Sequence, residues 1–129
     1  MATGFPAVTG DVLNENMFNG LVAFTLNAQT GATYTAASTD QYQVLVTMDN
    51  AASNTFSIPT DASIAFPNGT AITVLQIGAG VTTIDAVTPG TTTITSAGAT
   101  PAAPVLARYK AAVAVKLGTN AWTIIGAVA

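Results

Sequence analysis

The chain has 129 residues, of which only 7% are charged, three Lys and Arg against six Asp and Glu, whereas soluble domains average about 25%. It contains no Cys and no His, which excludes disulfide frameworks, thiolate zinc sites, cysteine nucleophiles and all imidazole chemistry. The formal net charge of −3 argues against a nucleic-acid partner, because that affinity comes mainly from Lys and Arg neutralising phosphates.

The chain is also expected to be neither disordered nor embedded in a membrane. Half of its residues are hydrophobic, and disorder goes with low hydrophobicity and high charge. Residues 62–84 carry no charge, but Pro67, Asn68 and Gln76 interrupt them, so they lack the run of about 20 apolar residues that a span needs. The N-terminus lacks the basic and then apolar pattern of a signal peptide. The length suits one domain with a real core.

Residues 1–19 predict an extended N-terminal arm, and residues 20–129 a single β-domain. Gly, Pro and Asn interrupt any periodic pattern in the arm, whose apolar anchors are Val12, Leu13, Met17 and Phe18. Two alternatives remain open: the arm docks on a neighbouring surface, or it folds back on its own domain.

From Gly20 onward, short apolar or alternating runs predict strands separated by turns. The expected strands cover residues 21–26, 41–48, 55–58, 63–66, 70–77, 81–87, 91–96, 107–117 and 121–125, with loops at 27–33 and 97–104. The segment 107–117 is Ala-rich, which by propensity favours a helix, but its alternation favours a strand. The odd-numbered residues are expected to form its buried face, with Arg108, Lys110 and Lys116 on the other.

These signals predict an all-β fold of about eight to ten short strands. Turns recur every 8–12 residues and no segment indicates a helix, a pattern typical of an antiparallel β-sandwich or barrel, jelly-roll-like in its strand count. We expect the core to contain Phe24, Phe56, Phe66 and Trp122, because each alternates with polar neighbours.

The sequence offers little that indicates catalysis, and we expect no cofactor, no metal and no enzyme activity. The acids are isolated and lie mostly in or beside turns, where they usually bond the local backbone: Asp11, Glu15, Asp40, Asp49, Asp61 and Asp85. A lone calcium site using Asp40 or Asp49 is a minor alternative. Gly78-Ala79-Gly80 is interpreted as a tight turn, because no helix follows to complete a phosphate site.

Two further sets of side chains are candidates for binding. Tyr34, in a loop-like stretch, is the aromatic residue we nominate for contact with a glycan. Arg108, Lys110 and Lys116 are candidates for an inter-subunit polar stripe that pairs with acids of a neighbouring subunit. The alternative for this stripe is ordinary solvated strand charge, which also deters unwanted strand pairing.

About two thirds of the chain, residues 42–126, resembles a β-structured module of virion proteins from tailed bacteriophages. The resemblance lies in the order of these strings: Ile58-Pro59, Phe66-Pro67-Asn68-Gly69-Thr70, Ile72-Thr73-Val74-Leu75-Gln76, Gly78-Ala79-Gly80-Val81-Thr82, and Trp122 near Gly126. Residues 10–19 resemble the linkers that precede such modules. The resemblance implies a homotrimer. Long members carry a separate N-terminal adaptor, whereas this chain has about 19 residues there, which favours a small protein bound directly to a shell.

The resulting hypothesis is a non-enzymatic bacteriophage virion structural protein, a trimeric capsid decoration (cement) or head-fibre protein on the particle surface. Its partners would be its own copies and the major capsid protein or another virion protein, reached through the arm anchors. Few charges support assembly independently, because a symmetric oligomer buries poorly hydrated surface. The first alternative is a tail-fibre or receptor-binding tip that recognises host glycans through loops 27–40 and 97–104. The second is an extracellular carbohydrate-binding module.

Overall fold

The fold is a two-sheet β-structure, seen here in a computed structural model that describes residues 23–129. The proposed arm anchors Val12, Leu13, Met17 and Phe18 lie outside the described residues. A short 3-10 helix covers Ser38–Gln41. The strands are β1 Thr25–Gln29, β2 Thr33–Thr35, β3 Val44–Met48, β4 Asn54–Ile58, β5 Ala71–Gln76, β6 Thr82–Ala86, β7 Thr93–Ser96, β8 Val105–Leu106, β9 Ala111–Gly118 and β10 Ala121–Gly126.

Three successive strand–turn–strand units, here called the arch stack, form one half of the molecule: β1–β2, β3–β4 and β5–β6. Each unit places its first strand in a six-stranded sheet and its second in a four-stranded sheet. Equivalent strands lie side by side in parallel, so that Tyr34, Phe56 and Ile84 fall in one row across the smaller sheet. The chain therefore crosses from sheet to sheet and returns beside its previous strand.

The other half of the molecule closes the stack with antiparallel pairs. The six-stranded sheet has the order β1-β3-β5-β9-β10-β7, and the four-stranded sheet has the order β2-β4-β6-β8. β9 is antiparallel to both β5 and β10, β8 is antiparallel to β6, and β7 runs parallel to β10.

The predicted all-β class is confirmed within the described residues, and so is the number of strands. The antiparallel expectation is only partly right, because both sheets are mixed. Alternation along one strand shows that the strand has two faces but does not show which strand becomes its neighbour. Successive strands here alternate between sheets, so short connections that resemble hairpin turns instead lead to parallel pairing.

The inner faces of both sheets share one hydrophobic core, in a sandwich-like arrangement. Phe56, Phe66 and Trp122 are buried as predicted, and the rings of the latter two meet edge to face at 5.6 Å. Phe24 is 57% exposed, so its predicted core position is wrong. The reason is that β1 begins at Thr25, one residue after Phe24, and runs to Gln29, into the segment that was expected to be a loop. Phe24 therefore lies just before the strand rather than within it.

Two other predictions about strands are wrong. Residues 63–66 do not form a strand: a turn covers residues 61–63, where the amides of Ser63 and Ile64 both donate to the Thr60 carbonyl, and residues 64–66 are irregular. In β9 the buried face is the even-numbered one, with Ala112, Ala114 and Lys116 facing inward. Apart from Lys116 both faces of this strand are apolar, and the other two bases that suggested a polar face lie before the strand begins.

The turns of the arch stack pack directly on one another, at residues 30–32, 49–53 and 77–81. The Asn50 side-chain amide donates to the Thr30 carbonyl at 3.2 Å, and the Gly80 amide donates to the Asn50 carbonyl at 2.9 Å. The buried Gln76 side chain braces the third turn through the Gly78 amide (3.1 Å) and the Gly80 carbonyl (2.8 Å). The turn predicted at Gly78-Ala79-Gly80 is thus confirmed, and it is the third of the three stacked turns.

Candidate functional site

A polar cluster lies at the first arch, whose strands β1 and β2 are the end strands of the two sheets in residues 23–129. Asp40 is 1% exposed and accepts three hydrogen bonds, from Tyr34 Oη (2.6 Å), Asn27 Nδ2 (2.9 Å) and the Ala37 amide (2.8 Å). Asn27 Nδ2 also donates to Tyr34 Oη (2.8 Å), and Gln29 Nε2 donates to Asn27 Oδ1 (2.7 Å). Terminal units of stacked folds typically carry a polar outer layer, and among the described strands none pairs with the outer edge of β1 or β2.

Within this cluster lies Tyr34, the aromatic residue nominated for contact with a glycan, and its hydroxyl and ring already have protein partners. Tyr34 Oη donates to Asp40 and accepts from Asn27, while its ring packs against Phe56 at a centroid distance of 6.1 Å. Burial, followed by the hydrogen bond to Asp40, raises the pKa of Tyr34 to about 12. The structure therefore gives this phenol a bracing role, and its contact with a glycan stays a prediction.

The stability of a Tyr34→Phe variant, measured at several pH values, tests whether the hydroxyl braces the cluster. We expect Tyr34→Phe to lower the free energy of unfolding by about 1–2 kcal/mol at pH 7, since Asp40 loses a buried donor. The folded-state pKa of Tyr34 lies above its ordinary value of 10.0. The wild-type advantage should therefore be fully present below pH 10 and disappear as pH rises through about 12. Urea unfolding followed by circular dichroism at several pH values measures it. The exposed Tyr109→Phe serves as control, and an advantage that is independent of pH contradicts the assignment.

Lys116 lies inside the molecule rather than on a polar strand face. Its side chain is 3% exposed, and its Nζ forms an ion pair with Asp61 Oδ1 at 2.9 Å. Lys116 Nζ also donates to the Phe66 carbonyl at 2.5 Å, and the Asp61 amide donates to Asn120 Oδ1 at 2.8 Å. This pair fixes the turn at 61–63 against the β9–β10 hairpin. The predicted three-residue stripe on one strand face is therefore wrong for Lys116.

Arg108 and Lys110 instead lie exposed in the turn that leads into β9. Arg108 Nε donates to the Ile77 carbonyl at 3.2 Å, and its guanidinium lies 4.7 Å from the centre of the Tyr109 ring. The Gln76 amide donates to the Lys110 carbonyl at 3.1 Å, which places both bases at the carboxyl end of β5. Asp49 follows β3 at the same end of the sheet, since Met48 and Gln76 are register partners. Both signs of charge thus lie at the same end of the sheet, where β3 and β5 terminate.

The outer face of the six-stranded sheet is an extended surface whose residues in the described part of the chain carry no charge. One row across five strands comprises Leu26, Leu45, Thr73, Val113 and Ile125. A second row comprises Ala28, Thr47, Leu75 and Ala111, and a third comprises Ala71, Val115, Thr123 and Thr95. Every member is apolar or Thr, and all are half-exposed or exposed.

No protein-family model, curated protein or solved structure matches this chain. The functional interpretation therefore depends on the residues and their geometry. Within residues 23–129, no cluster of three or more acidic side chains is placed to hold a metal ion. In the same part of the chain, no helix is both long and apolar enough to cross a membrane.

A shallow groove of about 460 Å³ lies where β7 and β10 meet the loop that starts at Ala97, at the edge of one loop region proposed for glycans. It has no ionisable side chain. Its lining residues are Thr95, Ser96, Ala97, Thr123, Ile124, Ile125, Gly126 and Val128.

Two features were not predicted from the sequence: the polar cluster around Asp40 and the uncharged outer face of the six-stranded sheet. The cluster around Asp40 joins residues from β1, β2 and the 3-10 helix, and nothing in the spacing of Asn27, Tyr34 and Asp40 indicates that they meet. The uncharged outer face was not predicted for another reason. When both faces of a strand are mostly apolar, as in β9, and its one base Lys116 lies on the buried face, the alternation does not tell which face is exposed to water. The signal that was available is the composition, which requires an uncharged exterior somewhere.

Proposed function

We propose that this chain is a non-enzymatic structural protein of a bacteriophage virion, assembled as a homotrimer on the particle surface. Its role there would be capsid decoration or that of a head fibre. The virion setting and the trimer in this proposal are based on the resemblance of residues 42–126 to tailed-phage virion modules. The two-sheet fold is compatible with a rigid surface module.

The observation that carries the assembly part of this proposal is the scarcity of charge on the surface. Residues 23–129 contain seven charged side chains, and only Asp49, Arg108 and Lys110 among them are exposed. Asp40 and Lys116 are buried, and Asp61 is paired with Lys116. A free monomer with so little surface charge would associate readily, because net and local charge keep proteins apart in solution. In an assembled particle the same surface is covered by neighbours.

Deletion of residues 2–19 tests the attachment that the proposal assigns to the arm. We expect the truncated protein to keep its β-sheet circular dichroism and its oligomeric state but to lose binding to particles of the phage that encodes it. Co-sedimentation of purified protein with particles stripped of it measures this. Unchanged affinity of the truncated protein would rule out the arm as the anchor.

The copy number in purified particles tests the location. Quantitative mass spectrometry should give a number that approaches that of the major capsid protein if the chain decorates the shell. A number matching the few fibres of a tail, together with glycan-array binding, would favour the receptor-binding tip instead. Absence from purified particles would overturn the virion proposal as a whole.

A further inference from the structure

The outer face of the six-stranded sheet has the extent that a specific interface requires. The three rows hold thirteen side-chain positions, and Leu117, Ala121 and Thr93 extend the same face to sixteen. With ~4.8 Å between strands and ~6.8 Å between same-face positions along a strand, sixteen positions cover roughly 500 Å². Two such faces together reach the ~1,000 Å² of total buried surface at which an interface becomes specific. The most exposed members are also large, since Leu26 is 70% and Ile125 60% exposed. Burying them removes substantial apolar area from water.

The composition of this face suits a second copy of the same chain. A face without charge places no like charges opposite one another where equivalent faces of neighbouring copies converge on a symmetry axis, so such a contact has no electrostatic penalty at its centre. The exposed β-branched and apolar side chains stand in straight rows across the strands, as Thr73 and Val113 do. Flat surfaces of this kind pack closely, face to face, as the sheets of a sandwich do.

The border of the face has the polar character of an interface rim. Arg108 and Lys110 lie at the carboxyl end of β5, and Asp49 lies at the carboxyl end of the neighbouring β3. Interfaces typically combine an apolar centre with a polar, solvated rim. With both signs of charge in one rim, the base of one copy has an acid available on another.

We propose that the outer face of the six-stranded sheet is the surface through which copies of this chain contact one another. The contact is centred on the row that contains Thr73, with Arg108, Lys110 and Asp49 at its rim. This deepens the proposed function and rests on it for the biological setting. Self-association of the purified protein is measured without particles, however, so either idea can fail without the other.

A negative charge placed at the centre of the face tests the proposal. Thr73→Glu puts a carboxylate on the middle row of the central strand β5, where association would bury it without a partner. We expect the dissociation constant to rise at least about tenfold, as measured by sedimentation velocity over a range of protein concentrations. The circular dichroism spectrum and the thermal midpoint at low concentration should stay close to those of the wild-type monomer.

The matched control is Thr55→Glu. Thr55 is half-exposed like Thr73 and lies on the outer face of the four-stranded sheet, between Thr33 and Thr83. We expect this variant to associate as the wild type does. Dissociation by Thr55→Glu and not by Thr73→Glu would assign the contact to the opposite sheet and overturn the proposal.

Two further outcomes would also overturn the proposal. One is a wild-type protein that remains monomeric at every concentration tested. The other is a monomeric full-length chain that associates only after residues 2–19 are removed, because the occupant of the face would then be the chain's own N-terminal segment. Either result would also contradict the homotrimer of the proposed function, but neither touches the virion location, which depends on particle binding and copy number.

Discussion

Substituting Gly80 with Ala should destabilise the protein by about 3 kcal/mol, the upper range for forcing extra atoms into a packed interior. A Cβ at this position would lie 2.1 Å from the Ala52 carbonyl oxygen and 2.5 Å from its carbonyl carbon. Both atoms belong to the backbone of the turn below, so no side chain can move aside. Relief requires the second and third turns of the arch stack to separate, which breaks the hydrogen bond from the Gly80 amide to the Asn50 carbonyl.

The measurement is urea or thermal unfolding at a concentration where the protein is monomeric. A loss of this size should lower the thermal midpoint by more than about 10 °C in a domain of this length. Gly90→Ala is the control, because a Cβ there meets nothing within 4 Å, and we expect a change below about 1 kcal/mol. Equal effects of the two substitutions would show that the turns are not packed as described.

The second large effect is expected from Asp61→Asn, which leaves Lys116 charged and buried without its counter-ion. Removing one partner of a buried ion pair typically costs about 3–5 kcal/mol. We expect about 2–3 kcal/mol here, since the Asp61 side chain is 21% exposed and water offsets part of the loss. Lys116 Nζ would retain its bond to the Phe66 carbonyl. Chemical denaturation at pH 7 gives the change in unfolding free energy.

A double-mutant cycle separates the ion pair from the loss of shape. Lys116→Met removes the buried charge and keeps most of the apolar stem, so the variant carrying both substitutions should be more stable than Asp61→Asn alone. The exposed Asp49→Asn is the control and should change stability by less than about 0.5 kcal/mol. If the effects of Asp61→Asn and Lys116→Met on the unfolding free energy simply add, the two side chains do not interact. That result would contradict the ion pair between Asp61 and Lys116.

Strand positions were predictable where alternation coincided with turn residues. β4 and β6 were expected within one residue of their observed ends, since Pro59 ends one run and Gly residues flank the other. β1 was misplaced because the apolar run that indicated it ends in Leu26, while the structure extends the strand through Asn27 and Gln29. Those polar side chains face the polar cluster at the open end of the stack, so their burial pattern is not that of a core strand.

The pairing of the strands was not predictable, and neither was the place of the charges. The stacking of successive arches brings together residues far apart in sequence, as when Thr82 Oγ1 of the third arch donates to Asn54 Oδ1 of the second inside the core. Nothing local to either residue indicates the other. Lys116 reads as a surface base in the sequence because its partner Asp61 is 55 positions away, in a segment that was expected to lead into a strand. Tertiary pairing decides burial in both cases, and one-dimensional periodicity does not contain it.

The second and third arches share a constant register offset with consequences for how this fold can change in length. Leu45 pairs with Thr73 and Phe56 pairs with Ile84, an offset of 28 residues in each sheet. Hardly any residue type is kept between the two arches, so the repeat is one of backbone geometry. A duplicated 28-residue segment inserted between them would add one strand to each sheet while leaving the polar cap and the antiparallel end untouched. Longer and shorter relatives of this protein can therefore arise by gain or loss of whole arches, each widening or narrowing the uncharged face by one strand.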